Sequence, residues 1–372
     1  MRAAAGTVAL MVATVATAAA CQTDDEGRPA PAPVSVVERE VSGELGAPDG
    51  YRLFIVEFAD ARHGYASVIN DDPVPGDEAV DPARMRHASA VYATTDGGAS
   101  WRRLADPRPP SPSPQLYTVD ARTLVLSADS EGWFVSTDGG ASFRFSQSEP
   151  PELAGLYYPG GVRIDCVDGC LVTVDGTAVE SPLAGDVHAA AKGAGRLWAA
   201  TVDAGAPRTV VSADGGRTWS DVPVPAHPAG EVERVRLSAT PDGSEVWLVG
   251  SPRLTAGGIG QRAPLRRKDI GVPVLWRWDG QAWLAQGTVG APAAAQHPYS
   301  VAPIGGGLVA AVGPGGLSLV DGAWHRSELV PVPEWVTTLA DGTIFAMTSS
   351  GVYYLGTRAG RTVSWAQVTV NL

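Results

Sequence analysis

Carboxylates at a recurring spacing are the first chemistry-bearing feature of this chain. Asp96, Asp138 and Asp214 each open an Asp-Gly-Gly triplet, within Thr94 to Trp101, Ser136 to Phe143 and Ser212 to Trp219. Aspartates act as metal ligands or general acids when several converge on one point. One copy per repeat disperses these three instead, which points to a structural role. The six histidines form no HxxxH or HxH pair, and no nucleophile elbow, P-loop or dinucleotide fingerprint stands in a strand–helix context. We therefore assign no catalytic residue, no metal ligand and no cofactor from the sequence.

The elements that hold these acids are tight turns. Gly97, Gly139 and Gly215 follow the aspartates, and glycine reaches positive φ without a Cβ penalty, while Asp can bond the backbone two residues on. A Ser or Thr precedes each triplet, and Trp101, Phe143 or Trp219 closes it, able to pin the returning strand to a core. Eroded copies stand at Asp175, Asp279 and Asp321. The spacing is about 40 residues, the length of four short strands and their turns.

This pattern resembles the Asp-box, or BNR repeat, of sialidase-like, sortilin-like and photosystem-stability-factor-like β-propellers. The resemblance implies an all-β chain folded as a single β-propeller whose boxes stabilise the fold, remote from any active face. Seven units follow, near 50–105, 114–148, 152–183, 186–223, 231–287, 297–328 and 334–370, each expected to be a blade of four antiparallel strands. Six or eight blades would follow from one degenerate unit being counted differently.

The termini and composition bound the setting. Arg2, the apolar stretch 3–17 and Ala18-Ala19-Ala20-Cys21 resemble a bacterial lipoprotein signal. The resemblance implies a signal peptide over 1–20 and a lipidated Cys21, with 21–49 as a flexible tether and the propeller over 50–372. Ordinary secretion with cleavage after Ala20 is the alternative. An extracytoplasmic place permits a disulfide between Cys166 and Cys170 across a hairpin-like turn, a redox pair being the other reading. A net charge of −12 argues against nucleic acid as partner.

Two units carry long loops between their second and third strands: 70–87, which is acidic, and 252–273, which is basic and includes Arg266 and Arg267. These loops belong at the end opposite the boxes, which makes that end the place to seek a ligand, unless they are tolerated surface insertions. Aligning units places His188, Tyr299 and Trp335 in one column near the axis, with Tyr117, Tyr157 and Arg236 close by. Such a set suits stacking of a sugar or peptide side chain, or simple packing between blades. Sialidase chemistry fits poorly: Tyr51-Arg52-Leu53-Phe54 lacks the proline of the family's Arg-Ile-Pro motif, Arg163-Ile164-Asp165 comes too late, and Tyr353 and Tyr354 read as core.

The function expected is a membrane-tethered binding or assembly scaffold, monomeric, for a protein or glycan; a glycoside hydrolase acting on extracellular glycans is the alternative. Changing Cys21 to Ser is expected to move the protein from the membrane to the soluble fraction on cell fractionation; retention in the membrane would overturn the anchor.

Overall fold

The computed structural model describes residues 32–372 apart from 73, 78–80, 82–83, 158, 167–169, 184–186, 253–271, 293–299 and 314. Cys21, Arg266, Arg267 and Tyr299 lie outside the described residues. Short apolar runs between glycine turns form strands throughout. Strand β1 is Val34–Glu44. The first sheet holds β2 (Tyr51–Phe58), β3 (Gly64–Asn70), β4 (Ser89–Thr94) and β5 (Arg102–Arg103), and the second β6 (Gln115–Thr118), β7 (Leu124–Ser127), β8 (Trp133–Ser136) and β9 (Arg144–Ser146). A short helix α1 (Glu152–Tyr157) precedes the third, β10 (Val162–Cys166), β11 (Cys170–Val174) and β12 (Thr177–Val179). The fourth is β13 (Ala189–Gly193), β14 (Arg196–Asp203), β15 (Ala206–Ser212) and β16 (Ser220–Val222). The fifth is β17 (Val232–Ala239), β18 (Val246–Pro252), β19 (Val274–Trp278) and β20 (Trp283–Ala285). The sixth is β21 (Ser300–Gly305), β22 (Leu308–Gly313), β23 (Gly316–Val320) and β24 (Trp324–Arg326). The seventh runs β25 (Trp335–Thr338), β26 (Ile344–Met347), β27 (Val352–Ala359), β28 (Thr362–Asn371) and then β1.

Neighbouring sheets pack in chain order, β2 and β3 on β6, β10 on β13, β14 on β17, β18 on β21 and β22 on β25. Between the second and third sheets, Leu153 of α1 is buried against Val125 and Val135. The seventh packs on the first: Val56, Phe58, Tyr92, Phe345, Tyr353 and Val368 share one core cluster, with the Phe58 and Phe345 rings 5.7 Å apart.

Three expectations need correction. Val34–Glu44 is no part of a tether over 21–49. It pairs parallel with β28 from Val34↔Thr362 to Glu44↔Asn371, and its Ser35 hydroxyl accepts the Trp365 indole N–H at 2.7 Å. Residues 34–42 read as a candidate ring-closing strand despite outward Glu38 and Glu40, and β28 is the partner that the sequence alone does not name. The seventh sheet thus has five strands with one parallel pair. The third has three, because Glu152–Tyr157 is helical where a first strand was expected, with Leu153 as its buried anchor. The disulfide Cys166–Cys170 is formed across the β10–β11 turn, where the two cysteines are register partners.

The three full boxes share one hydrogen-bond plan. In the second, the Ser136 hydroxyl donates to Asp138 Oδ1 at 2.8 Å and accepts the Gly140 N–H at 2.8 Å, while the Ser142 N–H and hydroxyl reach the two carboxylate oxygens at 2.9 and 2.6 Å. Thr94, Asp96 and Ser100, and Ser212, Asp214 and Thr218, repeat it. Both glycines of each box have positive φ. They differ in surroundings. A Cβ on the first meets open space at Gly215 and only the Tyr65 hydroxyl at 4.0 Å at Gly139, though at Gly97 it would meet the Ala61 carbonyl at 2.9 Å. A Cβ on the second would strike the outer strand region of the preceding sheet, Val368 at 2.5 Å for Gly98, Leu104 for Gly140 and Val179 for Gly216.

The two glycines of one box therefore separate backbone strain from steric closure. Gly215→Ala is expected to destabilise by about 1–2 kcal/mol through its positive φ alone, and Gly216→Ala by a further 1–3 kcal/mol or so through overlap with Val179. Denaturant unfolding of both variants checks this. Equal losses would mean that the box does not fasten sheets.

Candidate functional site

Antiparallel order puts the box turns, together with the turns joining first to second strands, at one end of every sheet. Connections between sheets and second-to-third strand loops share the other, open end. There Trp335 opens β25 opposite Met347 at the close of β26, and the two are register partners, 39% and 38% exposed. The connection leading into β25 adds Val330 and Val332, 74% and 44% exposed. The Trp335 ring rests its edge on Phe345, 6.1 Å between centroids, and Phe345 in turn stacks on buried Tyr353. One side of the indole is thus held by the core while the rest faces water.

The expected column of ligand residues divides. His188 is exposed just before β13, its backbone N–H donating to Ala200. Tyr117 packs its ring against Trp133 of its own sheet at 6.0 Å, beside the cluster that holds Leu153 of α1. Arg236 keeps solvent contact, but its guanidinium donates to the Val301 carbonyl at 2.9 Å, tying the fifth sheet to the sixth; desolvation by the protein around it lowers its pKa. Tyr157 ends α1 instead of lying on a first strand. Among the described residues, no hydrogen bond or ring contact joins His188, Arg236 and Trp335 to one another. A tie between sheets is the outcome for Arg236, packing against its own sheet for Tyr117, and exposure for His188 and Trp335.

The acidic loop 70–87 is partly described and internally tied. Asp77 accepts the Arg86 backbone N–H at 3.1 Å and its Nε and Nη2 at 2.9 and 3.1 Å, bonds that pull the carboxyl below its usual range. Behind it, Arg108 is fully buried against Asp106 at 2.7 Å and also donates to the Gln115 carbonyl. A buried pair so arranged fixes the connection between the first and second sheets, since loss of one partner would strand the other charge.

The arginines and tyrosines weighed for sialidase chemistry have local duties. Arg52 binds Asp71 at 2.6 Å and Arg163 binds Asp165 at 2.7 Å. Tyr353 and Tyr354 are buried, which pushes both hydroxyls up to about 12, and Tyr354 donates to the Pro331 carbonyl at 2.8 Å. The box aspartates are held the other way. Bonds from Ser142 and Ser136 lower Asp138, and bonds from Thr218 and Ser212 lower Asp214, as acceptors fixed in their charged form.

Sequence reasoning missed Glu57. It lies on β2 next to buried Val56 and Phe58, and its Oε2 accepts the Thr118 N–H from β6 at 2.7 Å. Burial raises its pKa to about 7, against the opposing effect of the Thr118 bond. An acid inside the apolar strand Tyr51–Phe58 was the available signal. The Trp335–Met347 pairing, by contrast, needed the register.

No protein-family model matches the chain, and no curated protein matches it. Many solved structures are similar, three among them as follows. One is YCF48 bound to D1 peptide, 14% identical, with 80% of this chain and 89% of that chain covered and a TM-score of 0.37. YCF48 from Cyanidioschyzon merolae is 14% identical, with 81% and 94% covered and a TM-score of 0.29. The GH74 xyloglucanase from Xanthomonas campestris is 16% identical, with 83% of this chain but 46% of that chain covered and a TM-score of 0.28.

Glu57 makes a pH prediction. Its folded pKa of about 7 lies above that of an exposed glutamate, near 4.3, so the folded state binds the proton more tightly. That contribution is complete below about pH 4.3 and is lost as pH rises through about 7. Glu57→Gln keeps an acceptor for the Thr118 N–H without the charge. Its melting temperature is expected to gain on the parent protein between about pH 5 and about pH 8; a constant difference would overturn the assignment.

Proposed function

We propose that the chain is a seven-bladed β-propeller that serves as an extracytoplasmic binding or assembly scaffold, tethered to a membrane through a lipid on Cys21. The apolar cluster Trp335, Met347, Val330 and Val332 at the open end carries this reading. Exposed apolar side chains gathered at one end of a fold are candidates for an interaction site. An indole braced on one side by Phe345 loses little side-chain freedom on binding.

The blade count is supported by the seven sheets of the described residues and by the packing of the seventh on the first through Phe58 and Phe345. The chain enters the fold at the box end, where the Val34 N–H donates to the Arg361 carbonyl. The partner is a protein or a glycan. Secretion without a lipid would keep the same binding end.

Two measurements test the scaffold. Immobilised protein is expected to capture one defined partner from the native envelope, and Trp335→Asp with Met347→Asp is expected to lower capture by about tenfold, the loss of two contact residues. A screen against β-linked and sialylated glycosides is expected to give no turnover. Turnover, or capture unaffected by the double variant, would replace the scaffold with a hydrolase or move its binding face.

A further inference from the structure

The turn at the seam between the fourth and fifth sheets lacks the second glycine of the box, as do the turns of the third and sixth sheets, where Thr177 and Ala323 stand in its place. Counting from the Asp, the second glycine of the box is Gly98, Gly140 or Gly216, but in the fifth sheet that place holds Gln281. The turn from Asp279 to Trp283 is also one residue shorter than that from Asp214 to Trp219. Where the second glycine is present, it nests against the preceding sheet. Two of its contacts, Leu104 and Val368, lie three residues after an aromatic, Trp101 and Trp365. The matching residue of the fourth sheet is Val222, three after Trp219. A glutamine side chain cannot nest as glycine does, and a Cβ on neighbouring Gly280 would meet nothing within 4 Å. Trp198, Trp278 and Trp283 pack together within the seam, and beside them a cleft of about 390 Å3 is lined by Val222 and Gln281 among others.

Its chemistry is specific. Arg196, half-buried, lies 5.9 Å from the centroid of the Trp278 ring and, among the described residues, makes no hydrogen bond or ion pair. The Gln281 amide and the Ser220 hydroxyl line the same cleft with no bond to a described residue. Asp221 is there too, held by Arg208 at 2.8 Å. Val211, Val222 and Pro223 supply an apolar wall. An uncompensated guanidinium backed by an indole calls for a carboxylate, which it can bind in bidentate form. The amide, the hydroxyl and the outer oxygen of Asp221 suit ring hydroxyls, and the apolar wall suits the C–H face of a sugar. The volume, at the low end of small-molecule sites, fits one hexose-sized ring.

We propose that the seam between the fourth and fifth sheets binds a hexuronate, with Arg196 on the carboxylate. The site is at the box end, separate from the apolar cluster at the open end, and stands or falls independently of the scaffold reading.

Isothermal titration of the purified full chain with glucuronate and galacturonate tests it, with glucose and inorganic phosphate as controls. At least one hexuronate is expected to bind with a Kd of about 0.1–1 mM, at least tenfold tighter than either control. Arg196→Gln is expected to weaken that binding by about tenfold or more, and Arg196→Lys by less, because lysine keeps the charge and loses the fork. Should Arg196→Gln not fold, judged by its thermal melt, Gln281→Ala and Ser220→Ala are each expected to weaken binding about threefold. Absence of hexuronate binding at about 10 mM, equal binding of glucose or phosphate, or variants that bind as the parent does would each overturn the site.

Discussion

The structure depends on one contact: the second glycine of each box against the sheet before it. The Asp and its two hydroxyl partners set the turn, and the turn carries that glycine, at positive φ, into the neighbour. A local sequence motif is thereby converted into a long-range joint. The joint at Gly98 matters most, because its neighbour Val368 is on β28 and because Gly43 of β1 lies against the Gly98 carbonyl and Trp101. Strand β1 is hydrogen-bonded into the last sheet while touching the box of the first. The chain's two ends are fastened together there.

The same turns explain why repeated acids need not mean acid chemistry. Each box carboxylate faces hydroxyl and backbone donors that prefer it charged, and for Asp96 these bonds outweigh the opposing effect of burial. A group so held is a poor proton donor near neutral pH. Glu57 shows the opposite balance: burial dominates a single backbone bond, and the carboxyl titrates near neutrality. Two acidic side chains of one fold thus differ by what surrounds them, the box carboxylate by donors of its own turn and Glu57 by apolar packing.

Much of the fold was legible because its signals are local. Turn glycines, the aromatics that follow them and apolar runs of strand length marked where most sheets begin and end, and Cys166 and Cys170 marked their own bridge. What escaped depended on partners distant in sequence. Val34–Glu44 reads as a candidate strand whose partner β28 stands at the far end of the sequence, and Glu152–Tyr157 turns helical because Leu153 finds a socket in the second sheet. Tyr117 and Arg236 were rightly placed near the inner strands, but whether such side chains meet a ligand or a neighbouring sheet is decided by the packing around them.

That packing also sorts recognition from support. The first strands of neighbouring sheets hold one another through bonds between side chain and backbone: Arg236 to Val301, Thr338 to Pro303, Ser300 to Val336 and Thr118 to Glu57. Polar groups so engaged cannot be withdrawn for a ligand without loosening a joint. Residues free to specialise are those in connections, such as Val330 and Val332, and those in a turn whose closure has lapsed, such as Gln281. Function in this architecture therefore concentrates where the repeat is broken, because an intact repeat already commits its side chains to the neighbouring sheet.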